Sequence, residues 1–405
     1  RLSASASPGP VELAPPIAST HPRAMSIGDA GSGPGGAGGG SSGSKAAAPP
    51  TEEGPRFALK DLCKVKQIGR GAKSVVWLVK HSGTSTYYAL KEIGREGLKT
   101  KEEAQHVWNE RTILGELSEG PMPFGGCCRM LSAMKDDTAV YLLLEFISGA
   151  PLHKHFQVAR GFDLQRTRFY CAALVEILGA LHGRGIIYRD LKASNVMIDA
   201  KNGRPRLVDF GFAKKLPADL RRTASVCGTL FAMAPEVYKQ DSWSVEERLG
   251  YTFVADWWGL GILTFEMLTA RAPFGYQNTR GPSMQELAAK SPGSLLFPNE
   301  FDQCTREFIS DLLEANPDRR RGCEGGADEV RRHPWFDGFN WPAVAVDLAN
   351  APTAAAVQEL QDSDLEFPPE FDTELGEFAS FESVDLNADP GSASESDSDD
   401  LPTPP

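Results

Sequence analysis

The sequence predicts an α+β chain of two lobes: a small lobe of antiparallel strands with one main helix, then a larger, mostly helical lobe, flanked by termini that do not order. Three observations carry this. Short apolar runs beside glycines fill the first part of the apolar-rich region. Helical periodicity fills the second part. Both ends of the chain lack the apolar residues that a core requires.

Residues 1–55 are rich in Gly, Ser, Ala and Pro, with the run Gly31-Ser32-Gly33-Pro34-Gly35-Gly36. Such a stretch buries too little apolar surface to offset its ordering entropy. Order is expected from near Phe57. Val75-Val76-Trp77-Leu78-Val79, Tyr87-Tyr88-Ala89-Leu90 and Val140-Tyr141-Leu142-Leu143-Leu144 read as strands. Between them Val107, Ile113, Leu114 and Leu117 fall on one face of a helix. Farther on, Phe169, Ala173, Leu174, Ile177, Leu178 and Leu181 repeat at helical spacing, as does the segment around Trp257–Leu268. One domain is thereby placed at 56–336, and a site between its lobes is a natural place for a nucleotide. From 337 to 405 the chain turns Ala/Pro-rich and then acidic, with Ser394-Glu395-Ser396-Asp397-Ser398-Asp399-Asp400 near its end.

The formal net charge of -12 argues against non-specific binding to nucleic acid or to anionic membranes. No apolar run approaches the roughly 20 residues needed to span a bilayer, and the N-terminus has no apolar signal core. The seven Cys form no C-x-x-C pairs and no matching His pairs, so neither a zinc site nor a disulfide framework is expected. An odd count in a chain of this length reads as a reducing, cytoplasmic setting. The first residue is Arg1, not Met, which is consistent with a fragment.

The chemistry begins at Ile68-Gly69-Arg70-Gly71-Ala72-Lys73-Ser74-Val75-Val76. Two glycines between apolar strand residues let a backbone approach phosphates closely. On their own they equally suit an ordinary hairpin turn, and Ser74 stands where G-x-G-x-x-G has its third glycine. Lys91 follows an apolar run, so its stem would be buried and its ammonium turned inward. Glu110 lies beside the apolar face of its helix, where a charge needs a partner, and Lys91 is the candidate. That pair would hold the ammonium against nucleotide phosphates. Tyr188-Arg189-Asp190-Leu191-Lys192-Ala193-Ser194-Asn195 is followed by Asp209-Phe210-Gly211 and then by Ala234-Pro235-Glu236. Asp190 is the type of residue that orients an attacking hydroxyl and accepts its proton, and Lys192 neutralises charge on a transferring phosphoryl group. Asn195 and Asp209 offer the oxygen ligands that Mg²⁺ prefers. Both blocks in this order match the catalytic loop and D-F-G of protein kinases.

The sequence therefore resembles the eukaryotic protein kinases, and within them the AGC group. Group-specific matches are Tyr188 in place of the usual His, Asp209-Phe210-Gly211-Phe212-Ala213-Lys214, Ser225-Val226-Cys227-Gly228-Thr229 and Asp256-Trp257-Trp258-Gly259-Leu260-Gly261. His333-Pro334-Trp335-Phe336 and the residues to Trp341 are most similar to the end of the cyclic-nucleotide-dependent kinases, the cGMP-dependent ones in particular. The resemblance implies a bilobal kinase fold, ATP and Mg²⁺ as cofactors, and a Ser or Thr of a protein as acceptor. Leu144 would back the adenine, Glu145-Phe146-Ile147 would form the hinge, Val76 and Ala89 would cover the base and Met197 would lie beneath it. Arg320 would pair with Glu236.

It also implies regulation. Phosphorylation of Ser225 by an upstream kinase would engage Arg189 and Lys214. A cyclic-nucleotide-binding region would lie upstream of Arg1, on another subunit, or nowhere. The tail Phe367–Phe381 resembles the segment with which AGC tails cross the cleft, Phe378 completing the adenine pocket. Phe378-Ala379-Ser380-Phe381 also resembles the F-x-x-F motif that docks back on the small lobe. Departures from the family are Lys73 for the aromatic at the loop tip, where it would bring charge near the γ-phosphate, and Ser74. Pro151 and Ser194 stand where basophilic members carry Glu, and Leu230-Phe231-Ala232 replaces Pro-Glu-Tyr. These unsettle nucleotide affinity and substrate choice. A kinase-shaped scaffold without activity is the rival reading. The acidic 391–400 segment as an interaction tail is a third.

Overall fold

The computed structural model describes residues 57–218, 221–242, 250–275, 295–346 and 382–383. The leader expected at 1–55 and the aromatics Phe378 and Phe381 lie outside the described residues.

Short runs rich in β-branched and aromatic residues build β2 (Ser74–His81) and β3 (Tyr87–Gly94), which with β1 (Leu62–Arg70) form an antiparallel meander. β4 (Met130–Lys135) and β5 (Ala139–Glu145) follow, and the sheet runs β1-β2-β3-β5-β4. The three strands read from the sequence fall on β2, β3 and β5. A two-residue strand, β11 (Glu382–Ser383), adds to the β4 edge, opposite Lys135 and Met134. Between β3 and β4 lies α1 (Lys101–Glu119). Thr100 starts it with a capping box: its hydroxyl accepts the Glu103 N–H, and the Glu103 carboxylate accepts the Thr100 N–H. Glu110, Ile113, Leu114 and Leu117 are its buried face.

The larger lobe is organised on two long helices. α3 (Leu164–Gly183) is capped by Asp163, which accepts the Arg166 N–H at 2.8 Å. α5 (Val254–Thr269) is apolar nearly all round and buried on all sides, with Trp257 and Trp258 inaccessible to solvent. Around them sit β6 (Gly149–Pro151), α2 (Leu152–Val158), β7 (Ile186–Ile187), β8 (Val196–Asp199), β9 (Pro205–Leu207), β10 (Lys214–Lys215) and α4 (Pro235–Ser242). α6 (Gln303–Leu312), α7 (Gly326–Arg331) and α8 (Trp341–Val346) close the lobe. Phe308 stacks on Trp335 at 4.2 Å, which fixes the end of the domain against α6. β6, β8 and β9 form a small sheet under the hinge, and β7 pairs with β10. These two sheets position the loops that carry the chemistry. Among the described residues no helix is long and apolar enough to cross a membrane.

Candidate active site

The small lobe presents one cation. Lys91 is on β3, 8% exposed, and its Nζ donates to Glu110 Oε1 at 2.6 Å and to Asp209 Oδ1 at 2.9 Å. Burial opposes the Lys91 charge, but the two carboxylates outweigh it and raise its pKa above the usual lysine value. Burial pushes the Glu110 carboxyl up against the pull of Lys91. Asp209 is also penalised by its surroundings, yet Lys91 holds it below the ordinary aspartate value. Its side chain remains about half exposed, open to the cleft.

The large lobe presents the acid and its supports. The Asp190 carboxylate is 2% exposed and receives three donors. Thr229 Oγ1 reaches Oδ1 at 2.6 Å, while Lys192 Nζ and Asn195 Nδ2 reach Oδ2 at 2.7 and 2.8 Å. Asn195 Nδ2 also donates to the Asp190 carbonyl at 3.0 Å, which leaves the amide oxygen as its unused acceptor. That oxygen and Asp209 are hard donors of the kind Mg²⁺ takes when phosphate oxygens and water complete its shell.

The loops holding these groups are backbone-strained. Arg189 has φ 71° and Asp209 φ 59°, values that side-chain-bearing residues rarely adopt. Asp256, on the first turn of buried α5, holds the first of them. Its Oδ1 accepts the Arg189 N–H at 2.7 Å, and its Oδ2 accepts the Tyr188 N–H at 2.9 Å and lies 2.8 Å from His182 Nε2. Tyr188 in place of the usual His serves packing. Its ring meets that of Phe210 edge-on at 5.3 Å, and its hydroxyl donates to the Val208 carbonyl at 2.6 Å. Gly228 is required as glycine. It has φ 111°, and a Cβ there would lie 2.6 Å from the Arg189 carbonyl oxygen.

The residues expected to hold the nucleotide lie on the following elements. Ile68, Gly69 and Arg70 end β1, Gly71, Ala72 and Lys73 form the turn, and Ser74, Val75 and Val76 begin β2. The Gly71 N–H donates to the Ser74 carbonyl at 2.8 Å, closing the turn. Ala89 is on β3, Leu144 on β5 and Met197 on β8. One expectation is corrected, that for Lys73; Glu145 and Ile147 were expected only as hinge residues. The Glu145 carboxylate accepts the Arg129 N–H at 2.7 Å and is paired with Arg206, so the hinge role expected of this residue falls to its main chain. The Ile147 side chain is packed in the core, so it too can offer only backbone. Lys73 is not poised over the γ-phosphate position; it pairs with Glu103 on α1.

Ser225, the expected phosphosite, sits beside Arg189. Arg189 Nη1 donates to Ser225 Oγ at 2.6 Å and to the Tyr251 hydroxyl at 3.1 Å, and its Nε donates to the Phe212 carbonyl at 2.5 Å. Lys214 reaches Thr223 Oγ1 at 3.0 Å, one hydroxyl short of Ser225, the two hydroxyls being 3.2 Å apart. Arg189, Lys214 and Ser225 line one cavity of about 520 Å³ with His106 of α1. Partial burial, then Arg189, Lys73 and Lys214, keep His106 below the usual histidine value. The Arg320–Glu236 pair is buried and bidentate, at 2.5 and 2.8 Å.

Sequence reasoning missed several residues: Thr229 as a support of Asp190, Tyr251, Arg206, His106 and the Glu103 partner of Lys73. It read Asp256 only as part of a motif. Glu266 was missed as well. It lines a cavity of about 340 Å³ with His153, Ser194 and Phe231, so one carboxylate stands near where Pro151 and Ser194 offer none. Burial pushes it up to about 7. Glu266, five residues after D-W-W-G-L-G in a largely apolar helix, was the available signal.

A buried lysine–glutamate pair joined to the aspartate of D-F-G, facing an aspartate–lysine–asparagine loop across two lobes, defines a phosphoryl-transfer site of protein kinase type. Residues 62–336 match the protein kinase domain family, and the chain belongs to that family. The relatives place it in the AGC group. It is 34% identical over 299 residues to a cAMP-dependent protein kinase, catalytic subunit-like protein of Caenorhabditis elegans, covering 73% of this chain and 69% of that one. It is 33% identical over 311 residues to serine/threonine-protein kinase gad8 of Schizosaccharomyces pombe, covering 77% and 51%. Against serine/threonine-protein kinase YPK1 of Saccharomyces cerevisiae it is 35% identical over 318 residues, covering 78% and 44%. The chain thus spans about half the length of the last two.

Proposed function

We propose that the chain is an ATP- and Mg²⁺-dependent serine/threonine protein kinase whose active state is fixed by phosphorylation at Ser225. The observation that carries this is the Asp190 carboxylate, fixed by Thr229, Lys192 and Asn195, alongside the Lys91 that joins Glu110 to Asp209. Asp190 accepts the proton of the substrate hydroxyl as its oxygen forms the bond to the γ-phosphorus. The bond to the β-phosphate oxygen breaks, and ADP leaves. Lys192 offsets charge on the transferring group, and Lys91 positions the phosphates. Asn195 and Asp209 would hold Mg²⁺, which would neutralise the phosphate oxygens. The Arg189 guanidinium, already at the Ser225 hydroxyl, would meet a phosphate of about -1.5 to -2 charges there.

A phosphotransfer assay on a peptide library with radiolabelled ATP tests this. The expected result is transfer to Ser or Thr, lost by about 100-fold or more in Asp209→Asn and Asp190→Asn, and reduced in Ser225→Ala. Equal rates in Asp190→Asn, or no transfer by the Ser225-phosphorylated protein, would overturn the reading in favour of a kinase-shaped scaffold.

A further inference from the structure

We propose that Lys73 and Glu103 form a charged link between the nucleotide-covering turn and the start of α1, so that affinity for ATP follows the position of the helix that carries Glu110. This rests on the reading of the cleft as an ATP site. It concerns a lysine at which the chain departs from its family, and a glutamate the motifs do not include.

The geometry begins with the helix cap. Glu103 is the third residue of α1, and its Oε2 accepts the Lys99 N–H at 2.6 Å and the Thr100 N–H at 3.0 Å. The carboxylate is therefore held by the helix start before Lys73 arrives, and a negative charge at a helix N-terminus is favoured. Its remaining oxygen, Oε1, takes Lys73 Nζ. The Lys73 stem runs past Gly97, where a Cβ would meet Lys73 Cβ at 3.7 Å, so the connection into α1 passes beneath the turn. Most exposed ion pairs must order two long side chains and are weak for that reason. Here one partner is already ordered. Lys73, followed by the Lys99 and Thr100 N–H groups, holds Glu103 down to about 2.

The consequence follows from what else α1 touches. One turn on, His106 meets the Phe212 ring edge-on at 6.3 Å. Glu110 takes Lys91, and Glu116 takes Lys215 of β10 at 2.5 Å. A single helix thus contacts, in order, the covering turn, the residue after D-F-G, the phosphate-positioning lysine and the activation segment. Any displacement of α1 acts on all four.

The test uses Lys73→Met, which keeps the stem, Glu103→Gln, which keeps the capping box, and the double variant. Affinity for ATP with Mg²⁺ is measured by titration calorimetry on the Ser225-phosphorylated chain. Each single variant should weaken binding by about threefold, the double variant by no more than either, and the effect should fade in high salt. Additive losses, two silent single variants, or a loss in Lys73→Met without one in Glu103→Gln would each overturn the link; the last would mean that Lys73 acts on the phosphates directly. Tight ATP binding without phosphotransfer would sink the kinase reading and leave the link standing.

Discussion

Replacing Asp256 by Asn should cost both stability and turnover, because one carboxylate holds two consecutive buried N–H groups of the catalytic loop. Asp256 is 2% exposed and on the rigid first turn of α5. Its two oxygens accept from Arg189 and Tyr188 at 2.7 and 2.9 Å, and His182 lies at 2.8 Å from the second. Asparagine fits the space but has one acceptor. With its oxygen on Arg189, its NH₂ group faces the Tyr188 N–H and leaves a buried donor unsatisfied, at about 1–3 kcal/mol. The remaining bond also loses the charge that roughly doubled its strength. A total near 2–4 kcal/mol follows, a fall in Tm of roughly 4–8 °C for a domain of this size. The activity consequence comes through Arg189, whose φ of 71° is kept by this anchor. If it relaxes, Asp190 shifts against Thr229 and kcat should fall by at least about tenfold, since displacements near 1 Å cost that much or more. Thermal denaturation and steady-state kinetics on the same preparation are the assays. An Asp256→Asn chain within about 0.5 kcal/mol of wild type, or one that is destabilised with undiminished kcat, would refute the reasoning.

Two further outcomes are expected. The Tyr251 hydroxyl donates to the Ser225 carbonyl at 2.6 Å and accepts from Arg189, and burial keeps its phenol protonated; Tyr251→Phe should therefore lower stability by about 1–2 kcal/mol and speed amide exchange around residues 223–228, and unchanged exchange would remove Tyr251 as an anchor of the phosphosite. Burial raises Glu266 from 4.5 to about 7, so the folded chain binds more protons than the unfolded chain between those values. Stability should fall as pH rises from 4.5 through 7 and then level off. Denaturant midpoints at pH 5 and pH 8 should show this loss, on the order of 2 kcal/mol, and Glu266→Gln should abolish it; an equal slope in both proteins would assign it to other groups.

The parts of the site that the sequence disclosed are those whose chemistry is contiguous. Asp190, Lys192 and Asn195 lie within six residues, and the local spacing is the geometry. Lys91 and Glu110 were legible for another reason: a cation in a strand and a carboxylate on an apolar helix face each demand a partner. What stayed hidden depends on contacts between distant segments. Asp256 acts on a loop 67 and 68 residues away. Glu145 was assigned to the hinge by resemblance, and nothing local disclosed that its side chain answers to Arg206, 61 residues later. Lys73 was aimed at the phosphates because nothing in the motif says that the start of α1 lies beneath the turn. The β4 edge pairs with Glu382–Ser383, immediately after Phe378-Ala379-Ser380-Phe381.

These hidden contacts have a common physical role. Arg189 directly precedes Asp190 and Asp209 opens the D-F-G segment, and both hold left-handed backbone that costs on the order of 1–3 kcal/mol each. Such conformations persist only where several interactions determine them together. Asp256 and the Phe212 carbonyl fix Arg189 from two directions, while Lys91 fixes Asp209. The catalytic loop and the D-F-G segment are therefore stable only while the α5 anchor and the α1–β3 ion pair are both in place. One of those anchors, Asp256, is buried on a core helix. The other hangs on a helix whose further contacts, with Lys73, Phe212 and Lys215, are exposed or half-buried. Control of the site is thus expected on the α1 side, and the chain places Ser225, His106 and Lys214 there.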